Sequence, residues 1–261
     1  MSLGRKKNID NALWLDAIAH IEESVSRDEI DELEYRTVDD IKITVDSKNA
    51  AYGWSGGKDS LVLHELCRQA GITESVFVHT NLEYPAFLAW CLEHKPEGCE
   101  VINVGLDLEW LSKHPNMLFP QDNRTVYRWF QLVQQTGIRK YFKEHGLDMI
   151  VVGHRNADGN YTGDREHISR NNAGIVRYSP IASWSHEQLL AYIHYHNIAM
   201  PPIYEWEDGY KCGTHPWPGR MHTKSIEDGF RIVQSIDKSI IEGAAAYLPE
   251  ARHFLGKEVA K

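Results

Sequence analysis

Residues 55 to 60, Ser-Gly-Gly-Lys-Asp-Ser, bring together the residue types that bind phosphate groups. Two adjacent glycines allow a tight turn that points successive backbone N–H groups into one concavity, and a helix that begins near Asp59 adds the positive end of its dipole. Ser55 and Ser60 offer hydroxyl donors, and Lys58 offers a positive charge. Asp59 disfavours a bare anion, which indicates either a cation such as Mg²⁺ nearby or a helix cap. The segment is therefore expected to hold a phosphate.

The spacing of this segment differs from two common phosphate-binding loops. A Walker loop needs Gly-x4-Gly-Lys-Ser/Thr and the dinucleotide fingerprint needs Gly-x-Gly-x-x-Gly, and residues 55 to 60 match neither pattern. An ordinary strand-to-helix turn is the alternative interpretation. We favour the phosphate loop because all of these residue types occur together between a predicted strand and a predicted helix.

Short apolar segments rich in valine and isoleucine follow the loop and alternate with helical patterns. The predicted strands are 75–80, 99–106 and 148–155. Such alternation is typical of a parallel sheet that is covered on both faces. We predict an α/β fold, a Rossmann-like doubly wound, mostly parallel sheet with helices on both faces. Ligands of such sheets bind beyond the carboxyl ends of the strands, so the loops 53–60 and 153–165 are expected to share one site.

Composition and charge exclude several classes of protein. The 28 Lys and Arg residues are outnumbered by 37 Asp and Glu residues, and the formal charge of −9 gives no chain-wide attraction to nucleic acid. No long apolar run of the kind that spans a membrane occurs, and the basic N-terminus lacks the apolar segment of a secretory signal. We expect a cytoplasmic protein without a membrane span.

The four cysteines, Cys67, Cys91, Cys99 and Cys212, form neither a CxxC pair nor a tight cluster. This spacing predicts no disulfide framework and no iron–sulfur cluster. Cys212 and His215 have the spacing of half a metal site, whereas packing of their loop over the sheet is the simpler interpretation. We therefore assign no metal-ligating residues from the sequence.

Several segments, in order along the chain, resemble the phosphoadenosine phosphosulfate (PAPS) reductase family. "SGGKDS" resembles the pyrophosphate loop of the ATP pyrophosphatase superfamily, also called adenine nucleotide alpha hydrolases, whose members cleave ATP between the alpha and beta phosphates. "TNLEYP" at 80–85 and "VVGHRNADG" at 151–159 resemble the Thr-Gly-x-x-Phe-Pro segment and the Gly-x-Arg loop of the PAPS reductase branch. Residues 178–213 resemble its downstream Trp-Thr and Gly-Tyr segment. The resemblance covers about residues 45 to 220 and implies an adenine nucleotide alpha hydrolase-like fold.

The resemblance implies a set of nucleotide ligands in this chain. ATP, or PAPS, would be the bound nucleotide, with Mg²⁺ at its phosphates. The implied ligands are Ser55, Gly56, Gly57, Lys58, Asp59, Ser60, Thr80, Arg165 and Arg170. Lys58, Asp59 and Arg155 are the implied catalytic residues, and Arg155 matches the family arginine that meets the substrate anion. Arginine suits this role because its planar fork contacts two oxygens at once.

The chain is expected to have three regions. Residues 1–45 form an N-terminal helical extension, in which Leu13 belongs to the apolar face of an amphipathic helix over 9–25. Residues 46–183 form the nucleotide-binding α/β domain with the pyrophosphate loop. Residues 184–261 form a C-terminal helical and loop extension that closes over the site.

The resemblance leaves three functions open. The intact loop favours cleavage of ATP between the alpha and beta phosphates to adenylylate an acceptor, by sulfurylase-like or thiolation-like chemistry. Reduction of PAPS or adenylyl sulfate to sulfite is the first alternative. The reductases use a cysteine in a C-terminal Glu-Cys-Gly-x-His motif, and no cysteine follows Cys212 here, although residues 211–215 read Lys-Cys-Gly-Thr-His. A non-catalytic nucleotide-binding subunit of a complex is the second alternative.

The partners follow from the same resemblance. A nucleotide is the expected small-molecule partner, and a protein partner subunit is left open because sulfurylase subunits of the superfamily need one. Nucleic acid is left open as an acceptor, but the charge of the chain does not indicate it. A homodimer is one of the oligomeric states that the sequence leaves open.

Overall fold

One sheet forms the centre of the computed structural model, which describes Leu3 and residues 9–164, 166–218 and 223–259. Within that part of the chain the sheet has six strands. They are β1 (Ala50–Trp54), β2 (Ser75–His79), β3 (Glu100–Asn103), β4 (Met149–Val151), β5 (Ile168–Arg170) and β6 (Val176–Tyr178).

The strand order is β3-β2-β1-β4-β6-β5. Neighbouring strands are parallel except β5 and β6, which pair antiparallel. In the register, Tyr52 lies beside Val151 and Trp54 lies beside Phe77. The order runs outward from β1 through β2 to β3 and then restarts at β4 on the other side, so the topological switch point lies between β1 and β4. The predicted mostly parallel, doubly wound sheet is confirmed.

Helices connect β1 to β2, β2 to β3 and β3 to β4, as parallel connections generally require. None of the helices in the described residues combines the length and hydrophobicity of a membrane span. They are α1 (Asn11–Ala19), α2 (Ile21–Ser24), α3 (Arg27–Val45), α4 (Lys58–Gln69), α5 (Pro85–His94), α6 (Leu108–Ser112), α7 (Asn123–Phe130), α8 (Thr136–Glu144), α9 (His186–Tyr195), α10 (Gly209–Cys212), α11 (Ile226–Ile236), α12 (Lys238–Ala244) and α13 (Pro249–Val259).

Alternate residues of the strands pack on opposite faces of the sheet, as the two-residue period of a strand requires. Tyr52 and Phe77 belong to the main core, together with buried residues of α3, α4 and α9. Ala51 and Val76 point the other way and belong to a smaller core that includes Tyr141 of α8. Both faces are therefore covered by helices, which explains why the central strands β1 and β4 carry no charged residue.

The predicted amphipathic helix over 9–25 is present as two shorter helices, α1 and α2, which meet at His20. The buried face differs from the predicted one, because Trp14 is fully buried while Leu13 is 45% exposed. Apolar spacing identified a packed helix correctly. It did not identify Trp14, because that ring packs against polar side chains of the candidate site rather than against a purely apolar surface.

A second cluster of buried apolar side chains lies among α11, α12, α13 and the segment before α7. Phe230 packs edge-on against Phe119 with ring centroids 5.1 Å apart, and Phe254 and Trp129 belong to the same cluster. The C-terminal helices therefore have their own apolar contacts beside the sheet. The division of the chain at residues 45 and 183 stays a prediction.

Gly137 in α8 offers a test of how closely this helix packs on β2. A Cβ atom at Gly137 would overlap the side chain of Val78, whereas a Cβ atom at Gly243 in α12 would meet nothing within 4 Å. We expect Gly137→Ala to lower the free energy of unfolding by about 1–3 kcal/mol because of overpacking. Gly243→Ala is expected to raise it by about 0.5–1 kcal/mol, since alanine is the better helix former. Urea denaturation measures both, and equal stability of the two variants would contradict the packing described here.

Candidate nucleotide-binding site

The phosphate loop connects the end of β1 at Trp54 to the start of α4 at Lys58. Gly56 has a φ of +70°, and a Cβ atom there would collide with Cys91 Sγ and lie 3.3 Å from Phe87. Glycine is thus required at this position both by backbone conformation and by the close approach of α5. The sequence prediction of a tight glycine turn between a strand and a helix matches this geometry.

Ser60 fixes the shape of the loop from within. Its hydroxyl group donates to the carbonyl oxygen of Gly57 at 2.8 Å and accepts the backbone N–H of Ser55 at 3.1 Å. The hydroxyl of Ser55 also donates to Ser60 Oγ, at 3.2 Å, although Ser55 itself is exposed. Ser60 is buried and engaged inside the loop, so Ser55 is the serine that faces solvent.

Two cations and two carboxylates form a buried network behind the loop. Lys58 is only 1% exposed, and its Nζ lies 2.9 and 3.1 Å from the two carboxylate oxygens of Asp59 and 3.9 Å from Asp158. Arg155 is fully buried, and it contacts Asp59 at 2.6 Å through Nε and Asp158 at 2.9 Å through Nη2. The formal charges of the four groups cancel. The structure therefore brings together the three predicted catalytic residues Lys58, Asp59 and Arg155 and adds Asp158.

All five N–H groups of Arg155 point at acceptors of the protein. Nε and one Nη2 N–H group point at the two carboxylates. Nη1 donates to the carbonyl oxygens of Trp184 at 3.2 Å and Ser185 at 3.0 Å, and Nη2 also lies 3.1 Å from Nδ1 of His186. In this arrangement Arg155 connects the loop after β4 to the start of α4 and the start of α9. Its role as a ligand of the substrate anion stays a prediction.

His186 and Trp14 complete the surroundings of the network. Burial lowers the pKa of His186 to about 4, with further lowering by the positive charges of Arg155 and Lys58, so the imidazole is neutral near pH 7 and its Nδ1 accepts from Arg155. Trp14 contacts His186 edge-on with ring centroids 4.6 Å apart, and it stacks on Tyr210 with ring centroids 5.0 Å apart. Lys58 Nζ lies 5.8 Å from the centroid of the Trp14 ring. The N-terminal helix α1 therefore covers Lys58 with an aromatic face.

Tyr204 occupies the position at the start of α4 where the sequence predicts a phosphate oxygen. Its hydroxyl oxygen accepts the backbone N–H of Lys58 at 3.0 Å. Burial raises the pKa of the Tyr204 phenol, and the charge of Asp59 adds to the rise, so the group stays protonated. An incoming phosphate must compete with this hydroxyl group for the N–H of Lys58.

Cys212 is the last residue of α10, and Tyr210 of the same helix packs against Tyr204 with ring centroids 5.0 Å apart. Cys212 is partly exposed, whereas Cys67, Cys91 and Cys99 are buried. Its Sγ lies 3.5 Å from the carbonyl oxygen of Gly209, which is the weak contact expected of a thiol donor. The thiol is therefore the accessible sulfur near the phosphate loop.

Thr80 is fully buried in the turn after β2, where its backbone N–H and its hydroxyl donate to the two oxygens of Glu83 at 2.8 and 2.7 Å. His215 Nε2 lies 3.2 Å from Glu83. Burial alone would raise the pKa of Glu83, but His215 and the hydrogen bonds from Thr80 lower it below its ordinary value. Thr80 therefore lies near the loop but is engaged by Glu83.

The two remaining arginines differ from the residues of the network. Arg170 is exposed at the end of β5, the edge strand, and β6 separates β5 from β4. Arg165 lies outside the described residues. The structure therefore does not bring Arg170 into the network of Lys58 and Arg155, and its role as a phosphate ligand stays a prediction.

Mg²⁺, which the resemblance implies, needs carboxylate oxygens that are not committed to cations. The carboxylates nearest the loop are Asp59 and Asp158, and both lie against Lys58 and Arg155. These residues do not fit a magnesium ion in the present arrangement. We therefore derive no chemical step from Mg²⁺.

Sequence reasoning did not identify five residues of this site, Trp14, Glu83, Asp158, His186 and Tyr204. Trp14 and Tyr204 are more than 40 residues outside the phosphate loop and approach it only through the fold. His186 follows the helix cap Ser185, which the sequence does signal, but a histidine in a first helical turn has no distinctive pattern. All of these residues except Trp14 lie within the segments 80–85, 151–159 and 178–213 that carry the resemblance, so those segments are the signal that could have indicated them.

A comparison with family models decides the family. The model of the phosphoadenosine phosphosulfate reductase domain matches residues 49–212, a range that includes the phosphate loop, Thr80, Arg155 and Cys212. The chain belongs to this family. The mostly parallel sheet described above is thus the fold of a PAPS reductase-family chain.

Two known proteins are similar to this PAPS reductase-family chain. A phosphoadenosine phosphosulfate reductase of Emericella nidulans is 28% identical over 118 residues, which are 45% of this chain and 35% of that protein. The match thus spans about a third of the length of this curated relative. A crystal structure of phosphoadenylyl-sulfate (PAPS) reductase from Candida auris, in a phosphate complex, has a TM-score of 0.51 at 18% identity and covers 69% of this chain and 92% of that one. This likeness supports the shared fold.

The low pKa of His186 predicts a specific dependence of stability on pH. The pKa is about 4 in the folded chain and 6.5 for an ordinary histidine, so between these values the unfolded chain binds more protons. The contribution is fully present above about pH 6.5 and is lost as the pH falls through about 4, and at about 1.4 kcal/mol per pKa unit it amounts to at most about 3 kcal/mol. We expect His186→Gln, which keeps an acceptor for Arg155, to lose less stability on acidification than the wild type.

Urea unfolding at about pH 7 and about pH 4.5 measures this difference. His194→Gln is the matched control, because His194 lies on the same helix but is exposed and paired with Glu22. The control should follow the wild type. A wild-type pH response in His186→Gln would show that His186 does not carry the effect.

Proposed function

We propose that this protein reduces an adenylyl sulfate, either PAPS or adenylyl sulfate itself, to sulfite with Cys212 as the nucleophile. The observation that carries the proposal is the position of the partly exposed thiol of Cys212. It lies on the same segment as Tyr204, whose hydroxyl oxygen accepts the Lys58 N–H of the phosphate loop. Membership of the PAPS reductase family and the similarity to the Emericella nidulans reductase support it. Cys212 is the last residue of the matched domain, so the thiol lies inside the region that defines the family.

The proposed reaction has two steps that balance. In the first, the Cys212 thiolate attacks the sulfur of the sulfate group, an S–S bond forms, and the S–O bond to the nucleotide phosphate breaks. The electron pair of that bond leaves with the nucleotide, and Cys212 carries a sulfonate. In the second, a dithiol reductant attacks Cys212 Sγ and releases sulfite, and its second thiol closes a disulfide, so the dithiol supplies the two electrons.

The phosphate loop would hold the nucleotide for this attack. The backbone N–H groups of Gly57 and Lys58 and the start of α4 offer donors and a positive dipole end to a phosphate. Binding there replaces Tyr204 as the acceptor of the Lys58 N–H, and Tyr204 belongs to the same segment as Cys212. Release of Tyr204 therefore couples arrival of the nucleotide to movement of the thiol segment.

His215 and Glu83 would position the segment that carries the thiol. His215 follows Cys212 by three residues and lies against Glu83, whose carboxylate is held by Thr80 at the end of β2. The backbone N–H of Tyr84 also donates to the carbonyl oxygen of Thr214 at 2.9 Å. These contacts anchor residues 213–215 to the turn after β2, next to the predicted nucleotide site.

The test is sulfite formation from PAPS and from adenylyl sulfate in the presence of a thioredoxin-type dithiol. We expect the wild type to produce sulfite and Cys212→Ser to lose at least about 1000-fold in rate, because serine cannot form the S–S bond. Cys99→Ser is the matched control, since Cys99 is a buried thiol just before β3, at the opposite end of the sheet from the loop. Without dithiol, mass spectrometry should find the sulfonate on the peptide that contains Cys212. Sulfite formation by Cys212→Ser at the wild-type rate would exclude this function.

A second candidate is cleavage of ATP between the alpha and beta phosphates to adenylylate an acceptor. The intact loop favours it, because Gly56 at φ +70° and the helix start at Lys58 present donors that a departing pyrophosphate needs and a sulfonate transfer does not. Its acceptor would be an oxyanion such as sulfate or a carboxylate, or a carbonyl oxygen of a nucleobase.

Release of pyrophosphate from ATP tests this candidate. If it is correct, the wild type releases pyrophosphate when an acceptor is supplied, and Lys58→Ala loses at least about 100-fold in rate, since a charge next to the leaving group is removed. Lys42→Ala, on the exposed side of α3, is the matched control. Sulfite production without pyrophosphate release would favour the reductase. A protein that binds nucleotide and makes neither product until lysate is added would be the non-catalytic subunit.

A further inference from the structure

A cluster of potential metal ligands lies on the helices α3 and α9, separate from the phosphate loop. Asp31 and Glu34 are one helical turn apart on α3, and His196 follows the last residue of α9. One ligand atom from each residue lies within 4.8 Å of the others. We propose that these three side chains bind one Zn²⁺ ion, with water at the fourth position.

The spacing of Glu34 and His196 already suits a shared ion. Glu34 Oε2 and His196 Nε2 are 3.3 Å apart. Zinc bonds of about 2.0–2.1 Å in a tetrahedron place adjacent ligand atoms about 3.3–3.4 Å apart. The two atoms face each other without hydrogen-bond geometry, and His196 Nε2 is buried with no hydrogen-bond partner among the described residues. A buried imidazole nitrogen thus lies beside a carboxylate oxygen without a hydrogen bond between them. This arrangement is expected where both atoms bind one cation.

Neighbouring side chains orient each proposed ligand. The other oxygen of Glu34 accepts a hydrogen bond from Tyr192 at 2.7 Å and one from Gln69. The ring of Tyr192 stacks on His196 with centroids 4.1 Å apart. Such outer partners fix the rotamers of metal ligands and leave one oxygen of the carboxylate for the ion. Glu34 and His196 are therefore held in place before any metal arrives.

Asp31 is the exposed member of the set. Its side chain is 51% exposed, and Arg27 contacts its Oδ1 at 2.8 Å. A rotation of this exposed side chain closes the remaining distance to the ion at little cost. Arg27 stays in contact with one oxygen and offsets part of the negative charge of the two carboxylates, which lowers affinity for cations that bind by charge alone.

The ligand types select the class of cation. Imidazole nitrogen suits Zn²⁺ and its transition-metal neighbours, whereas Mg²⁺ and Ca²⁺ prefer sets made only of oxygen atoms. A Zn²⁺ ion here would join α3 to the C-terminal end of α9. The cap residue Ser185 and the first residue of α9, His186, contact Arg155. The ion would therefore stabilise, at its other end, the helix that contacts the buried charge network.

The test is titration of chelator-treated full-length protein with ZnCl₂, followed by calorimetry. We expect one equivalent of Zn²⁺ to bind, MgCl₂ not to compete, and CoCl₂ to give the visible absorption of tetrahedral Co²⁺. His196→Ala and Glu34→Gln should each weaken binding at least about tenfold and remove the cobalt absorption. His194→Ala is the matched control, because this exposed histidine lies two residues earlier, in α9.

Three results would overturn the proposal. They are the absence of zinc binding to the wild type, unchanged affinity in both His196→Ala and Glu34→Gln, and equal loss of binding in His194→Ala. Circular dichroism of each variant without metal distinguishes loss of the site from loss of the fold. Glu34→Gln keeps the shape of the side chain and its contact with Tyr192, so it remains informative if His196→Ala fails to fold.

Discussion

The buried network of Lys58, Asp59, Arg155 and Asp158 is the constraint on which the rest of the site depends. Charged groups removed from water are tolerated only when they are paired and hydrogen-bonded, and removal of one partner leaves another charge uncompensated. The network draws together the first turn of α4, the loop after β4 and, through the carbonyl oxygens that Arg155 contacts, the start of α9. The switch point of the sheet places β1 beside β4, so the two loops that carry these charges meet.

The neutrality of the network determines which groups of the loop would attract the proposed phosphate. Since the charges of Lys58 and Arg155 are balanced by two carboxylates, the attraction comes chiefly from backbone N–H groups and the dipole of α4. Tyr204 now satisfies one of those N–H groups, as an acceptor that carries no charge. A neutral hydroxyl group from a distant segment thus accepts the N–H group that the proposed anion would accept.

Segments from both ends of the chain cover this loop. Trp14 from α1 lies over Lys58, and the segment from Tyr204 to His215 lies across the loop and the turn after β2. The two covering segments contact each other, since Asn11 pairs with the backbone of Tyr210 and Asp10 with Lys211. The thiol of Cys212 therefore lies where the N-terminal helix, the phosphate loop and the C-terminal segment converge, and these elements position it.

The sequence by itself determined the parallel α/β sheet, because apolar strands that alternate with helical patterns are buried most readily in a sheet with helices on both faces. It also determined the glycine turn at 55–60. The tertiary structure alone decided which side chains meet there. Asp59 and Arg155 are 96 residues apart in the chain, and their pairing follows from strand order rather than from any local pattern. For the same reason Arg170, at the edge strand, resembled a ligand in the sequence yet lies away from the network. Local patterns encode periodicity and backbone conformation, whereas the pairing of buried charges depends on distances that only the folded chain establishes.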